Sequence, residues 1–152
     1  MLPGGVAEEL LGYYDAALAA ADPGRVVREG LAAREVVLEL GRDRPHWIIA
    51  LGKAAPAMAG AAFAHCAAAD IAVAGGIVVG PTVRPSAGDP LETLAGDHPV
   101  PGARSAYAAE RLGALVERVG KEDVVLLLLS GGTSSLVGAP IDGVRPEDLA
   151  AL

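Results

Sequence analysis

Short apolar runs alternate with alanine-rich segments of helical spacing along most of this chain. The runs at 47–51, 76–79, 91–95 and 124–129 have the length of strands, and the stretches that end near Ala69 and run from Ser105 to Val119 have the spacing of helices. Because strand and helix alternate, the pattern predicts an α/β fold, a Rossmann-like parallel sheet with helices on both faces and right-handed crossovers.

The first part of the chain has a different pattern. Residues 6–21 have helical spacing that ends at Asp22-Pro23-Gly24, residues 25–30 predict a second short helix, and the apolar run at 36–40 predicts a strand. We therefore expect an N-terminal helical segment and strand at 1–45, followed by an α/β part at 46–152.

The apolar run at 124–129 leads directly into a turn of glycines and hydroxyls, Ser130-Gly131-Gly132-Thr133-Ser134-Ser135. Six consecutive apolar residues predict a strand that is buried on both faces. Backbone N–H groups at the glycines, hydroxyl donors and a helix that starts near Ser134 favour the binding of a phosphate or a carboxylate. The alternative is an ordinary turn that binds nothing, since glycine and serine are common in turns.

A second turn carries one of the two lysines of a chain that has ten arginines. Gly52 and Lys53 follow the run at 47–51 and precede an alanine-rich segment with Pro56 near its start, which predicts a strand-to-helix turn. A compact ammonium in an otherwise apolar turn indicates an anionic ligand, and the alternative is a lysine that extends into water. The turn is not a P-loop, because Trp47 stands where that motif needs its first glycine.

The third turn, Gly96-Asp97-His98-Pro99-Val100-Pro101, lies between the run at 91–95 and the helix predicted from Ser105. Prolines make the loop around His98 rigid. Taken singly, a His-Pro pair is more often structural than chemical. All three turns lie after a strand and before a helix, so a parallel sheet would bring them to its carboxyl edge, where such sheets bind ligands.

Together the three turns resemble the successive signatures of the glycerate 2-kinases of the MOFRL type, some of which were labelled hydroxypyruvate reductases. The matching stretches are 52–59, 96–101 and 130–136, and their order, spacing and flanking elements agree over essentially the whole chain. The resemblance implies ATP-dependent phosphorylation of D-glycerate to 2-phosphoglycerate, with Mg²⁺ accompanying ATP. It also makes 46–152 the nucleotide- and substrate-binding part.

The resemblance also implies roles for particular residues. Lys53 matches the active-site lysine of the family and would balance charge on the transferred group. The turn would hold a phosphate or the glycerate carboxylate, so the residues expected to bind substrate or phosphate are Gly52, Ser130, Gly131, Gly132, Thr133, Ser134 and His98. Asp97 is a weak candidate to approach Mg²⁺, and the sequence offers no firm metal ligand and no general base.

Members of that family are considerably longer than this chain and have a second domain that closes over the substrate. The stretch 145–152 has the pattern of a helix that is cut short, with a proline in its first turn. We therefore expect an N-terminal fragment that has little kinase turnover by itself.

Composition and charge indicate which partners and which cellular location to expect. The net charge of −7 argues against partners such as nucleic acid and anionic membranes. Cys66 is the only cysteine, which excludes an intrachain disulfide. The N-terminus has no basic region before an apolar core and no stretch is long enough to span a bilayer, so we expect a cytoplasmic protein.

Two other classes of function stay open at this stage. One is an NAD(P)H-dependent hydroxypyruvate reductase, although no Gly-x-Gly-x-x-Gly follows any predicted strand. The other is a truncated, non-catalytic domain that binds an anion. A truncated domain would expose an apolar face, and pairing with a second copy as a homo-oligomer is one way to cover that face.

Overall fold

A computed structural model describes residues 4–33, 36, 41, 43–82, 90–140 and 143–144 of the 152. Nine regular elements lie within these ranges: α1 (Gly4–Ala20), α2 (Pro23–Leu31), β1 (His46–Leu51), α3 (Ala55–Ala68), β2 (Val73–Gly80), β3 (Leu91–Ala95), α4 (Ala103–Val116), β4 (Val124–Leu129) and α5 (Thr133–Leu136). None of these helices combines the length and apolar character needed to cross a membrane.

The four strands form one parallel sheet in the order β3-β2-β1-β4. His46–Leu51 of β1 pairs with β2 on one side and, without a register shift, with Val124–Leu129 on the other. The chain therefore runs outward from β1 through β2 to β3 and then returns across the sheet to β4. This confirms the predicted α/β fold with a parallel sheet.

Helices cover both faces of the sheet, because successive strand residues point to opposite sides. On one face Ile48, Ala50, Val78 and Leu126 pack with α3, and α2 adds Val27 and Leu31 to the same core. On the other face Ile49, Leu51, Ile77 and Val79 pack with Ala108 and Leu115 of α4 and with Leu136 of α5. Alanines such as Ala59 and Ala62 let α3 approach the sheet closely, which explains how a chain with 3% aromatic residues forms a packed core.

The prediction that the strand at 124–129 is buried on both faces is wrong. Leu126 is buried against α3, but Val125, Leu127 and Leu129 on the opposite face are 40%, 56% and 56% exposed. The physical reason is position: β4 is an edge strand, and α4 covers β2 and β3 on that face instead. A continuous apolar run thus marks two apolar faces, of which one is uncovered in the part of the chain that is described.

The strand predicted at 36–40 is also not supported at Val36, the one residue of that stretch that the structure describes. Val36 is helical and packs against the core on the α2–α3 side of the sheet, where it covers a face instead of pairing with a strand. Residues 37–40, the C-terminal helix predicted at 145–152 and most of the loop predicted at 82–90 lie outside the described residues.

The apolar residues of helix α1 are mostly exposed. Its side chains lie almost entirely in solvent, including Leu10, Leu11, Tyr13 and Tyr14, which are more than half exposed. The second helix is different, because Asp22 caps its N-terminus through Arg25 N and its apolar side is buried against α3.

Candidate anion site at the carboxyl edge of the sheet

The turn after β1 is shaped by Gly52, which is buried and has a φ of +120°. A Cβ at this position would overlap the side chain and carbonyl of Ser130, which directly follows β4. Glycine is therefore required twice over, by conformation and by the close approach of the neighbouring loop. Its N–H donates to Val79 O, and the next amide, Lys53 N, donates to Gly131 O at 2.9 Å.

Two hydroxyls of the second turn fasten it to the first. The Oγ of Ser130 accepts a hydrogen bond from Ala54 N at 3.0 Å, and the Oγ1 of Thr133 lies 3.0 Å from Leu51 O and 2.7 Å from Ser130 O, to which it donates. The sequence predicted these hydroxyls as donors to a bound anion. In the structure the two hydroxyls form hydrogen bonds with backbone groups, and these bonds hold the turns after β1 and β4 together.

Gly132 is the point where the three predicted turns meet. It has a φ of +89°, and a Cβ placed on it would lie 3.1 Å from His98 Cδ2 and 3.3 Å from Lys53 Cε. The side chains of Lys53 and His98 therefore flank the same backbone position, and both are exposed. The structure thus brings together one residue from each turn that the sequence singled out.

Hydrogen-bond donors without a protein partner concentrate at this place. Within the described ranges, the amides of Gly131, Gly132, Thr133 and Ser134 donate no hydrogen bond, since the following amides of Ser135 and Leu136 are the first to bond back to Gly132 O. The Lys53 ammonium forms no ion pair with a described residue. An ammonium beside free amides is an arrangement that attracts an oxyanion.

The His98 turn is held against α4 and α5. Gly96 packs directly on the backbone of Leu136, where a Cβ would overlap the Leu136 carbonyl. Asp97 caps the start of α4: its Oδ2 accepts from Arg104 N at 2.9 Å and its Oδ1 accepts from Arg104 Nε at 2.6 Å. The peptide bond between His98 and Pro99 is cis.

The carboxylate of Asp97 is committed to Arg104. The side-chain hydrogen bond from Arg104 is the largest influence that holds the pKa of Asp97 below its usual value. No group of three or more His, Cys, Asp or Glu side chains among the described residues is arranged to hold a metal ion. The weak candidacy of Asp97 as a magnesium ligand therefore has no support in its geometry.

The position of the site follows from the strand order. The chain leaves β1 toward β2 on one side, while β4 lies on the other side, so the carboxyl ends of β1 and β4 form a topological switch point. Ligands of open α/β sheets bind at such points. Lys53 and the turn at 130–134 both lie at this point.

Comparison with known proteins gives the family of this chain. Residues 9–152 match the family described as "Domain of unknown function (DUF4147)". The chain belongs to the DUF4147 family. Proteins with activity names are among its relatives: it is 36% identical over 124 residues to "D-glycerate 2-kinase" of Thermotoga maritima and 38% identical over 139 residues to "Putative hydroxypyruvate reductase" of Agrobacterium vitis.

A solved structure extends the likeness to the fold. The crystal structure of glycerate kinase (EC 2.7.1.31) from Thermotoga maritima superposes with a TM-score of 0.76 at 30% identity and covers 98% of this chain. The chain in turn covers 34% of that structure, and it covers 28% and 30% of the two relatives named above. This DUF4147 chain thus spans about a third of the length of the proteins that it resembles.

Sequence reasoning missed the structural roles of Gly96 and Ser105 beside this candidate site. Gly96 stands directly after a strand and before the His98 turn, and that position is a signal of close backbone approach that was available in the sequence. Ser105 has no comparable signal: it is one polar residue in the first turn of α4, and only the structure reveals that it is fully buried between two of the turns.

Proposed function

We propose that this chain carries the phosphate-binding part of a glycerate 2-kinase, which phosphorylates D-glycerate to 2-phosphoglycerate with ATP. The observation that carries the proposal is the meeting of Lys53 and His98 at Gly132, in a chain whose relatives include "D-glycerate 2-kinase". The pairing of an ammonium with free backbone amides suits both substrates, since ATP and glycerate are anions.

The roles follow from charge and geometry. Phosphoryl transfer is catalysed mainly by positioning and by stabilising charge on the transferred group. Lys53 supplies a mobile positive charge next to the turn, while the amides of Gly131–Ser134 supply fixed donors for phosphate or carboxylate oxygens. Gly52 contributes by letting the Lys53 turn approach Ser130, and His98 lies beside the same position of Gly132 as Lys53.

ATP normally enters such reactions with Mg²⁺. The described side chains offer no ligand set for that ion, because both oxygens of Asp97 accept from Arg104 and no acidic cluster faces the turn. Magnesium commonly keeps its waters and binds through substrate phosphates. No step of the proposal is therefore assigned to a protein-bound metal.

The decisive experiment replaces Lys53 in the protein expressed from its complete reading frame. Lys53→Ala should lower kcat for 2-phosphoglycerate formation on the order of 10²- to 10³-fold, because it removes charge stabilisation in the transition state. Lys53→Arg should recover only part of the rate, since a planar guanidinium does not replace a compact ammonium. The matched control is Lys121→Ala, which removes the other lysine, at an exposed position before β4, and should change nothing.

A reductase is the second candidate, because the relative from Agrobacterium vitis bears that name. The same preparations are therefore assayed for nicotinamide oxidation with hydroxypyruvate. A wild-type protein that oxidises the nicotinamide and makes no phosphoglycerate would refute the kinase. Unchanged phosphorylation in Lys53→Ala would make the lysine structural.

The proposal also concerns the location of the protein, the activity of residues 1–152 alone and their self-association. A kinase that uses ATP and glycerate belongs in the cytoplasm, where both are available. Residues 1–152 alone should bind ATP with little turnover, as expected of a chain that spans about a third of the length of its relatives. Self-association through the uncovered face of β4 would show in sedimentation velocity as a species of twice the monomer mass.

A further inference from the structure

The first turn of α4 contains a hydroxyl that the proposed function does not use. Ser105 is fully buried, and its Oγ accepts a hydrogen bond from Asp97 N at 2.8 Å and donates to Ser135 O at 2.6 Å. Asp97 precedes His98 in one turn, and Ser135 follows Ser134 in the other. One side chain therefore bridges the turn that carries His98 and the turn that carries Gly132.

The backbone of Ser105 strengthens the same connection. Its carbonyl accepts from Gly138 N at 3.2 Å, just after α5. Close to this bond, Gly96 packs directly on the Leu136 backbone, so the two segments are also in contact there. A hydroxyl at the centre of this contact can satisfy a donor on one turn and an acceptor on the other, which no apolar side chain can do.

We propose that Ser105 is a positioning residue. Through its two hydrogen bonds it sets the placement of His98 relative to the turn at 130–134 and to α5, which begins in that turn. It touches no substrate, and its effect on catalysis rests on the proposed kinase function. Its effect on the two turns does not, because the bridge exists in the free protein. Removing the hydroxyl, which is fully buried, leaves Asp97 N–H and Ser135 C=O without this partner, so both turns should loosen together.

The primary test is amide hydrogen exchange in the free protein, followed residue by residue by NMR. Ser105→Ala should accelerate exchange at least tenfold both at Asp97 and at Ser135 and Leu136, and leave β1 and β2 unchanged. Ser105→Thr keeps the hydroxyl and should restore slow exchange at both places. Val27→Ala is the matched control, because it creates a cavity on the opposite side of the sheet, lowers Tm, and should leave both turns as they are.

The second readout separates positioning from general stability. In the protein from the complete reading frame, Ser105→Ala should lower kcat about tenfold, since a small misplacement of reacting groups is costly, while Ser105→Thr recovers the rate and Val27→Ala keeps it. Inorganic phosphate serves as the probe for binding in the free protein and should bind about tenfold more weakly in Ser105→Ala.

The outcomes distinguish the two proposals. If wild type makes no phosphoglycerate but Ser105→Ala loosens both turns and Ser105→Thr restores them, the kinase proposal fails and the Ser105 proposal stands. If Ser105→Ala changes only one turn or neither, or if Val27→Ala loosens both turns equally, the Ser105 proposal is overturned whatever the activity. If Ser105→Ala does not fold, failure of Ser105→Thr to retain slow exchange at both turns overturns it.

Discussion

At the scale of single residues, Gly132 has two independent reasons to be glycine. Its φ of +89° is one that residues with side chains rarely adopt, and a Cβ there would be in tight contact with His98 and Lys53, at 3.1 Å and 3.3 Å. The neighbouring Gly131 has neither constraint, because nothing lies within 4 Å of the place where its Cβ would stand. Two adjacent glycines in one turn thus serve different purposes.

This difference gives a paired prediction. Gly132→Ala should lower the free energy of unfolding by about 1–3 kcal/mol, because alanine would carry the backbone strain and press on two side chains. Gly131→Ala should leave that free energy within about 0.5 kcal/mol of wild type. Urea denaturation of the three proteins measures both values, and equal losses in the two variants would contradict the assignment.

At the scale of elements, β4 illustrates that an apolar pattern can predict a strand without predicting which faces of that strand are covered by helices. The run at 124–129 correctly predicted a strand, but the sequence did not reveal that its Val125, Leu127 and Leu129 face is uncovered. Residue pattern specifies which side chains are apolar, whereas coverage depends on where α4 crosses the sheet. The same limit applies to Val36, whose apolar neighbours predicted a strand although it packs as part of a helix on the face.

The two faces of β4 can be compared with one chemical change at adjacent positions. Leu126→Ala should cost about 2–4 kcal/mol of unfolding free energy, because Leu126 is buried against α3 and its removal leaves a cavity. Leu127→Ala should cost about 0.5 kcal/mol or less, since Leu127 is 56% exposed. Thermal and urea unfolding of both variants test this, and a cost at Leu127 as large as at Leu126 would mean that its face is covered in solution.

The positions of the turns could be predicted better than the covering of the strand faces by helices. Gly52, Lys53, His98 and Gly132 could be placed at one edge from strand-turn-helix order alone, since parallel strands bring their carboxyl ends together. The hydrogen bonds between Ala54 and Ser130, between Thr133 and Leu51, and between Ser105 and Ser135 could not be predicted, because each joins residues that are at least 30 positions apart in sequence. A hydroxyl in a turn looks the same in a sequence whether it points at a ligand or at a carbonyl.

At the scale of the whole molecule, the described chain consists of a packed sheet with its helices and an N-terminal helix that contributes little to that packing. The side chains of α1 are mostly exposed, whereas α2 is capped by Asp22 and buries Val27 and Leu31 in the core. We therefore predict that the cooperatively unfolding unit begins between these two helices. The division at residue 45 made from the sequence stays a prediction.

Deleting residues 1–20 tests that boundary. The shortened chain keeps the Asp22 cap and should unfold at the same urea concentration as the full chain, because α1 buries almost no apolar area. The control is a chain that starts at residue 33, which loses Val27 and Leu31 and should be markedly less stable. A large drop in the midpoint after removal of 1–20 alone would place α1 inside the cooperative unit.

The hydrogen bonds between the turns after β1 and β4 have a consequence for the order in which the protein assembles during its synthesis. The bonds from Ala54 to Ser130 and from Thr133 to Leu51 join residues 76 and 82 positions apart. Contacts of such separation form after local structure, because a long loop must close first. During synthesis the segment that carries Lys53 leaves the ribosome well before residues 130–133 have been made. The candidate anion site is therefore assembled only when β4 and the turn after it have emerged.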